Sequence, residues 1–154
     1  MFNKLLTKDE LIGQETLFIE ETDTLVNGVV KLYVDGYRAT CNYKDGKKDG
    51  LIEYVYTNGQ LGLRGYHQDG KEHGLWEGFY ENGEPAMTLN CRKGQPHGKI
   101  DYYSTNMDGQ LNCRGYFLNG IEDGLWEYFD IDNGEIIEIE YYVCGEEKFN
   151  EIPY

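Results

Sequence analysis

The segment Gln60-Leu-Gly-Leu-Arg-Gly-Tyr66 reappears later in the chain as Gln110-Leu-Asn-Cys-Arg-Gly-Tyr116. In the same way, Gly74-Leu-Trp-Glu77 reappears as Gly124-Leu-Trp-Glu127. Short identical segments in the same relative order indicate an internal repeat, and a repeat determines the architecture before any single motif is considered. The fold of this 154-residue chain therefore depends on the period and content of that repeat.

Glycine marks the repeat, since the 20 glycines include three interleaved series spaced by about 24 residues. In the second series each glycine follows Asp or Asn. The first series is Gly28, Gly50, Gly74, Gly98 and Gly124; the second is Gly36, Gly59, Gly83, Gly109 and Gly134; the third is Gly46, Gly70, Gly94, Gly120 and Gly145. Five units of this kind cover residues 28–145.

The segments between these glycines predict strands. Asn-Gly or Asp-Gly between two runs of alternating apolar and polar residues is the strongest short signal for a β-hairpin, because a type I′ turn needs positive φ at both central residues. We therefore predict a type I′ hairpin at each glycine of the second series. Consecutive hairpins should pair edge to edge, which predicts an all-β fold: one elongated antiparallel sheet of about ten strands.

The two ends of the chain differ from the repeats. Residues 1–27 are predicted to form an N-terminal cap, with a short helix because Thr7-Lys-Asp-Glu10 has the spacing of a capping box before Leu11. A strand is expected near Thr16 to Glu20. Residues 146–154 form an acidic C-terminal tail, which we expect to protect the last edge of the sheet, since charge on an edge strand discourages further pairing.

Charge is unevenly distributed along the chain. The formal net charge is −14, and residues 121–154 hold eleven acidic residues against the single basic residue Lys148. Direct binding to nucleic acid or to an anionic membrane surface is disfavoured, because both interactions depend on Lys and Arg. Most of the net charge therefore belongs to one end of an otherwise nearly neutral protein.

The sequence predicts a cytoplasmic protein with reduced thiols. It contains no apolar run of about 18 residues that could span a membrane. Charged residues such as Lys4, Lys8 and Asp9 interrupt the start of the chain, where a secretory signal would be continuously apolar. The four cysteines at positions 41, 91, 113 and 144 lack C-x-x-C spacing, which argues against both a disulfide framework and a zinc site.

The repeat resembles a known family. The pattern Gly-x-Trp-x-x-x-Tyr-x-Asn-Gly, present here as Gly74, Trp76, Tyr80, Asn82 and Gly83, is similar to the MORN-repeat variant of bacterial and phage proteins, including YwqK-type antitoxins. Two later units depart from it: Ile100 replaces Trp and Asp130 replaces Tyr. The resemblance implies a non-catalytic scaffold, a binding module or a neutraliser of a toxin, and it implies no catalytic residues.

Alternation along the first strand of each unit separates two residue sets. One side carries aromatic residues, and the other carries apolar residues with Glu53, Glu77, Asp101 and Glu127 between them. A single sheet has no second layer to cover both sides, so we predict that the aromatic side contacts a partner, the alternative being that its rings are repeat-to-repeat core. The predicted contact residues are Tyr54, Trp76, Tyr80, Tyr102, Trp126 and Tyr128. Gly78 replaces Tyr in this row, which predicts either a recognition cleft or a bulge.

No catalytic residue, metal site or cofactor is predicted. The four carboxylates above would lie roughly 9–10 Å apart, two strands from one another, which is too far to share a calcium ion, so we interpret them as structural. Asp130-Ile-Asp132-Asn-Gly134 resembles a calcium loop, but its glycine comes one place early and Tyr141 stands at the twelfth position. His73 and His97 occupy equivalent places before Gly74 and Gly98, which indicates a role in turns.

These observations predict a non-enzymatic inhibitor, such as an immunity protein, an antitoxin or a phage anti-defence factor. Its partner would be a protein with a basic groove, such as a toxin, a nuclease or a defence factor, attracted by an acidic surface. The predicted acidic contacts are Glu135, Glu138, Glu140, Glu146 and Glu147. The alternatives are a MORN-type scaffold that forms a homo-oligomer and an enzyme with a cleft on the sheet, which would need a perturbed carboxylate or thiol beside His.

Overall fold

The computed structural model describes residues 18–19, 24–34, 37–104 and 109–148, and the regular elements in these ranges are all β-strands. Strands β1 (Phe18–Ile19) and β2 (Thr24–Leu25) form a separate two-stranded pair. β1 lies inside the strand predicted at Thr16 to Glu20, whereas the predicted helix at Thr7 to Glu10 lies outside the described residues. No helix in the described part of the chain could cross a membrane.

The remaining strands form one open sheet of 12 strands. They follow the glycine series, so each repeat contributes two strands in succession. They are β3 (Gly28–Val34), β4 (Tyr37–Lys44), β5 (Lys47–Tyr56), β6 (Leu61–Gln68), β7 (Lys71–Phe79), β8 (Pro85–Arg92), β9 (Gln95–Tyr103), β10 (Leu111–Leu118), β11 (Ile121–Glu122), β12 (Gly124–Phe129), β13 (Ile136–Val143) and β14 (Glu146–Glu147).

Strand order in the sheet equals strand order in the sequence. Every pairing is antiparallel, and β11 and β12 occupy one line beside β10, separated at Asp123. The prediction of an all-β, single antiparallel sheet built from successive hairpins is confirmed. The acidic tail adds β14, which pairs with β13 only at Tyr142 and Val143.

The turns differ from the prediction in one respect. Positive φ at two consecutive residues, the mark of a type I′ turn, occurs in the third glycine series, for example at Asp45 and Gly46. In the second series Gly59 has positive φ but Asn58 does not. There, the Gly59 N–H donates to the Tyr56 carbonyl at 3.0 Å, and the Tyr56 N–H donates to the Gln60 carbonyl at 2.8 Å. These bonds define a three-residue loop with a glycine bulge. Asn82 and Asn133 also lack positive φ, so the type I′ prediction is wrong at Gly59, Gly83 and Gly134, whereas Gly36 and Asp108 lie outside the described residues.

The sheet has two faces that we name by their residues. Directly opposed residues share a face, and the register places Ile52, Trp76, Ile100 and Trp126 on one side, which we call the tryptophan face. Glu53, Glu77, Asp101 and Glu127 lie on the other side, which we call the carboxylate face. The predicted division of residues between the two sides is correct.

The core lies on the tryptophan face in two clusters. The first is formed around Ile52 and Trp76, and the second around Ile100 and Trp126, with Leu89 packed against both. No described element covers this face, so side chains must bury one another. Each tryptophan does so by lying flat over a glycine of the preceding neighbouring strand, Trp76 over Gly65 and Trp126 over Gly115. The contact is so close that a Cβ added at either glycine would lie 2.2 Å from the indole ring. The repeated Arg-Gly-Tyr segment therefore supplies the space in which each indole is buried.

Candidate functional site

The two predicted tryptophan contacts belong to the core. Trp76 is 7% exposed and Trp126 is 5% exposed. Trp126 packs edge-to-face with Phe117 and Tyr142, whose ring centroids lie 5.3 and 6.3 Å away. In this conformation neither indole is available to a partner. Both fit the alternative in which the aromatic rings form a core between repeats.

Three of the predicted tyrosine contacts are half-buried and packed or bonded inside the protein. The Tyr80 hydroxyl donates to the Tyr103 carbonyl at 2.7 Å, and the Tyr128 hydroxyl donates to the Glu140 carboxylate at 2.7 Å. Tyr54 packs against the first core cluster. Tyr102, at 40% exposed, is the one predicted aromatic contact that presents a large surface to solvent.

Gly78 does not open a cleft on this face. A Cβ built at Gly78 would lie 2.9 Å from Cγ of Met87, the residue directly opposite it, so the methionine side chain fills the space above the glycine. The register shifts just after Gly78, as predicted for a bulge. The same kind of shift occurs after Tyr54 and after Tyr128, so it does not depend on the missing side chain.

The exposed apolar surface lies on the carboxylate face instead. It is concentrated in the last units, where five side chains of β10, β11 and β13 on this face are 36–50% exposed. We call this surface the C-terminal apolar patch and define it as Tyr116, Leu118, Ile121, Ile139 and Val143. Sequence reasoning missed the patch. The sequence did contain one signal for the patch. The two residues that flank the turn after β10 are apolar, Leu118 and Ile121, whereas the two that flank the equivalent turn after β8 are polar, Arg92 and Gln95.

The predicted acidic residues gather around β13 and β14. Glu138 and Glu140 oppose Tyr128 and Trp126, so they lie on the tryptophan face, whereas Ile139 opposes Glu127 on the carboxylate face. β13 is therefore acidic on one face and apolar on the other. Glu135, Glu138 and Glu146 are exposed, whereas Glu140 and Glu147 are half-buried.

Hydrogen bonds and charges distinguish these carboxylates. Glu140 accepts hydrogen bonds from the hydroxyls of Tyr128 at 2.7 Å and Tyr142 at 3.0 Å. Burial, the bond to Glu140 and the surrounding negative charge raise the pKa of Tyr142 to about 12. Desolvation and then the charges of Glu140 and Glu138 raise the pKa of Glu147. The negative charges at this end are thus close enough to repel one another.

The four carboxylates of the carboxylate face form a stripe, and two of them, Glu77 and Asp101, are in ion pairs. Glu77 accepts from Arg64 at 2.7 Å, and Asp101 accepts from both Arg114 at 2.8 Å and Lys99 at 2.7 Å. Burial alone would raise the pKa of Asp101, but the hydrogen bonds and charges of Lys99 and Arg114 hold it below its usual value. The stripe holds adjacent strands together, in agreement with the structural interpretation.

The other side chains that could bind a metal or react either form hydrogen bonds in turns or are buried. Asp130 accepts from the Asp132 N–H at 2.8 Å, which closes the turn that resembled a calcium loop. Nδ1 of His97 accepts from the Asn119 N–H at 3.4 Å, as predicted for a turn role. Burial raises the pKa of the Cys113 thiol to about 11. Among the described residues, no group of three His, Cys, Asp or Glu side chains could hold a metal ion.

His67 is a buried titratable group in the first core cluster. It is 8% exposed, and its ring lies edge-on to Trp76 with centroids 5.2 Å apart. Nδ1 has no hydrogen-bond partner among the described residues. Burial, followed by the charge of Lys48, lowers the pKa of His67, and the opposing effect of Glu72 is smaller. The neutral form of His67 is therefore favoured in the folded protein.

We expect His67 to make the protein less stable in acid. The unfolded chain binds a proton at the usual histidine pKa of about 6.5, so the stability that neutral His67 contributes is complete above that value. It is lost as the pH falls from there through the lowered pKa of the folded state. Urea unfolding from about pH 7.5 to about pH 5.5 should show a smaller loss of stability in His67→Phe than in the wild type. His73→Asn is the matched control, and an unchanged slope in His67→Phe would contradict the expectation.

Comparison with known proteins gives no family. No family model and no curated protein matches the chain. Among solved structures, a crystal structure of TarM is similar with a TM-score of 0.41 and 8% identity over 79% of this chain and 21% of that chain. A crystal structure of the GtfA/B complex is similar with a TM-score of 0.30 and 18% identity over 88% of this chain and 23% of that chain. The chain thus spans about a fifth of the length of these proteins, and the similarity carries no argument about its function.

Proposed function

We propose that this protein is a non-enzymatic inhibitor that binds and blocks a partner protein through its C-terminal end. One observation carries the proposal: the exposed C-terminal apolar patch and the acidic residues share the strand β13, the patch on its carboxylate face and Glu138 and Glu140 on its tryptophan face. Tyr116 and Ile121, 49% and 50% exposed, are the residues from which a partner would remove the most water. Buried aromatic and aliphatic anchors surrounded by polar residues are what protein interfaces use for affinity.

The acidic residues specify the kind of partner. Their charge attracts a basic surface and repels an acidic one, which increases the rate of association and its dependence on salt. A partner with a basic groove, such as a nuclease, a toxin or a defence factor, fits this description. Tyr102 and the exposed Glu135, Glu138 and Glu146 remain proposed contacts from the sequence. The resemblance of the repeat to the MORN variant and YwqK-type antitoxins is compatible with this role.

The test is a comparison of two double variants that both exchange exposed apolar side chains of the carboxylate face for arginine. Tyr116→Arg with Leu118→Arg changes the patch. Val29→Arg with Tyr33→Arg changes side chains that are 60% and 74% exposed at the opposite end of the sheet. Crosslinking in cells that express the wild-type chain identifies a bound protein, which is then purified for titration calorimetry with all three proteins.

We expect the wild type and the Val29/Tyr33 variant to bind equally and the Tyr116/Leu118 variant to bind about 100-fold more weakly. Raising the salt from about 50 mM to about 300 mM should weaken wild-type binding, because it screens charges at the rim of the interface. Equal binding by all three proteins at both salt concentrations would contradict the proposal.

A self-associating scaffold is the second candidate, and the open sheet supports it. β3 is the edge strand at one end of the sheet, and at the other end β14 pairs with only two residues of β13, so backbone groups of β3 and of the rest of β13 can pair with another chain. Light scattering at increasing protein concentration separates the candidates: a scaffold gives a mass that rises with concentration, whereas the inhibitor stays monomeric without its partner.

A further inference from the structure

We propose that the partner adds an extended segment to the sheet as a strand alongside β13, and that this segment alternates basic with apolar residues. The inference rests on the proposed function and names the way in which the same end of the molecule recognises its partner. It depends on three features: the partly unpaired edge of β13, the different chemistry of the two faces of β13, and the poor match between β13 and β3 of a second copy.

In the part of the chain that the structure describes, the outer edge of β13 is paired over only part of its length. β14 pairs with Tyr142 and Val143, and the Lys148 N–H donates to the Tyr141 carbonyl at 2.7 Å. Among the described residues, no strand continues this pairing toward Ile136. Backbone groups of alternate residues in a strand point the same way, so the N–H and C=O of Ile139 face the same side as those of Tyr141. Ile139 therefore offers a donor and an acceptor to a new strand.

Side chains of β13 then define what the new strand must carry. Residues directly opposite each other on neighbouring strands interact most strongly, and opposite charges favour the pairing. Glu138 and Glu140 lie on the tryptophan face, so the added strand needs Lys or Arg on that face. Ile139 is 42% exposed on the carboxylate face, so the added strand needs Val, Ile or Tyr there. Main-chain pairing with alternate side chains for specificity is how sheet edges bind extended peptides.

The charge at this edge also favours a cationic strand over an uncharged one. Glu147 of β14 opposes Tyr142, on the same face as Glu138 and Glu140. No basic side chain of β13 lies between these carboxylates, since the strand reads Ile-Ile-Glu-Ile-Glu-Tyr-Tyr-Val. Two cations placed opposite Glu138 and Glu140 would reduce the repulsion among the three acids.

The other edge of the sheet fits poorly as the occupant when two copies present the same face on the same side. Val30 of β3 opposes Cys41 and so lies on the tryptophan face, where a strand beside β13 needs a cation. Lys31 opposes Thr40 and lies on the carboxylate face, where an apolar residue is needed. When the two copies turn the same face to the same side, pairing β3 with β13 would set Val30 in the row of the glutamates and Lys31 in the row of Ile139. We take the occupant to be a segment of another protein, as the proposed function requires, and association of two copies through these edges would instead appear as a rising mass in light scattering.

The experiment uses the full chain and a labelled cyclic hairpin peptide, one strand of which reads Thr-Lys-Val-Lys-Val-Lys-Thr. The control peptide has the same composition with its lysines and valines in separate blocks. Fluorescence anisotropy measures binding to the wild type, to Ile139→Pro, which removes the edge N–H, and to the conservative variant Ile139→Val, which keeps both the N–H and an apolar side chain. Proline is tolerated on an edge strand whose N–H faces solvent, so the pairing with β12 is retained.

We expect the alternating peptide to bind the wild type and Ile139→Val with similar affinity and Ile139→Pro about tenfold more weakly. The block peptide should bind weakly to all three. In hydrogen exchange, the Ile139 amide of the wild type should become protected when the alternating peptide is added; this readout remains if Ile139→Pro fails to fold. Equal binding of the two peptides, or an Ile139 amide whose exchange is unchanged by the bound peptide, would overturn strand addition.

The crosslinked partner distinguishes this inference from the proposed function. If the partner binds Ile139→Pro as tightly as the wild type but does not bind the Tyr116/Leu118 variant, strand addition is wrong and the inhibitor proposal stands. If no protein is captured while the peptide results are as expected, the edge binds strands as inferred and the inhibitor proposal fails.

Discussion

Replacing Gly115 by alanine should lower the free energy of unfolding by about 3 kcal/mol, an effect at the upper end of the range for overpacking a core. The new methyl group would sit 2.2 Å from Cδ2 of Trp126, inside the van der Waals contact distance. The indole cannot move aside, because Phe117 and Tyr142 pack against it. Gly115 has no positive φ, so the loss would come from the added atom alone and not from backbone strain. Urea unfolding monitored by tryptophan fluorescence measures it.

Two further variants test this explanation. Gly78→Ala makes the same change in a strand, but the nearest atom is Cγ of the flexible Met87 at 2.9 Å, so we expect a loss below about 1 kcal/mol. In the background of Trp126→Leu, the smaller side chain leaves room for the methyl group, and Gly115→Ala should then cost little. A loss in Gly115→Ala that is the same in both backgrounds would mean that the indole is not its cause.

The second large effect is expected from Asp101→Asn, which should destabilise the protein by about 2 kcal/mol. The Asp101 side chain is 9% exposed and accepts from two cationic side chains, which would then face a neutral amide. Lys99 and Arg114 are 40% and 37% exposed and can recover part of their hydration, so the loss stays below that of a fully buried pair. Glu77→Gln is the control in the same stripe: at 28% exposed with one arginine partner, it should cost about 0.5 kcal/mol.

The pH dependence of Asp101→Asn follows from the lowered pKa of Asp101. The ionised carboxylate contributes its full stability above the usual pKa of an aspartate, and the contribution is lost as the pH falls through the lower pKa of the folded state. The difference in unfolding free energy between the wild type and Asp101→Asn should therefore shrink on acidification. A difference that stays constant as the solution becomes acidic would show that shape, and not charge, accounts for the loss.

The repeat and the two faces were predictable because they depend on local patterns. Glycine spacing marks the turns, and strict alternation assigns each side chain to a face whatever its surroundings. Which face is buried was not predictable, since both sides carry comparable apolar residues and the outcome depends on contacts between strands. Gly65 and Gly115 determine which face is buried, because each leaves space for an indole ring. Only the strand register shows that these glycines lie opposite Ile52 and Ile100, on the same face as the tryptophans.

The turn types show the same limit. Asn-Gly occurs both in two-residue type I′ turns and in three-residue loops with a glycine bulge, so the dipeptide predicts a hairpin and leaves its loop length open. The register of β5 and β6 at Gln60 settles the length. For the candidate site, the acidic end was read from composition, but the apolar patch required the exposed fractions of individual side chains on the carboxylate face.

The strict sequence order of the strands has a consequence for how the protein forms. All extensive contacts join neighbouring strands, so no pairing has to wait for a distant part of the chain. Chains dominated by local contacts fold quickly, and repeat arrays can grow unit by unit during synthesis. β13 and the patch are made after the units that support them. A ribosome-bound chain would thus already carry most of its sheet while the surface proposed to bind the partner is still incomplete.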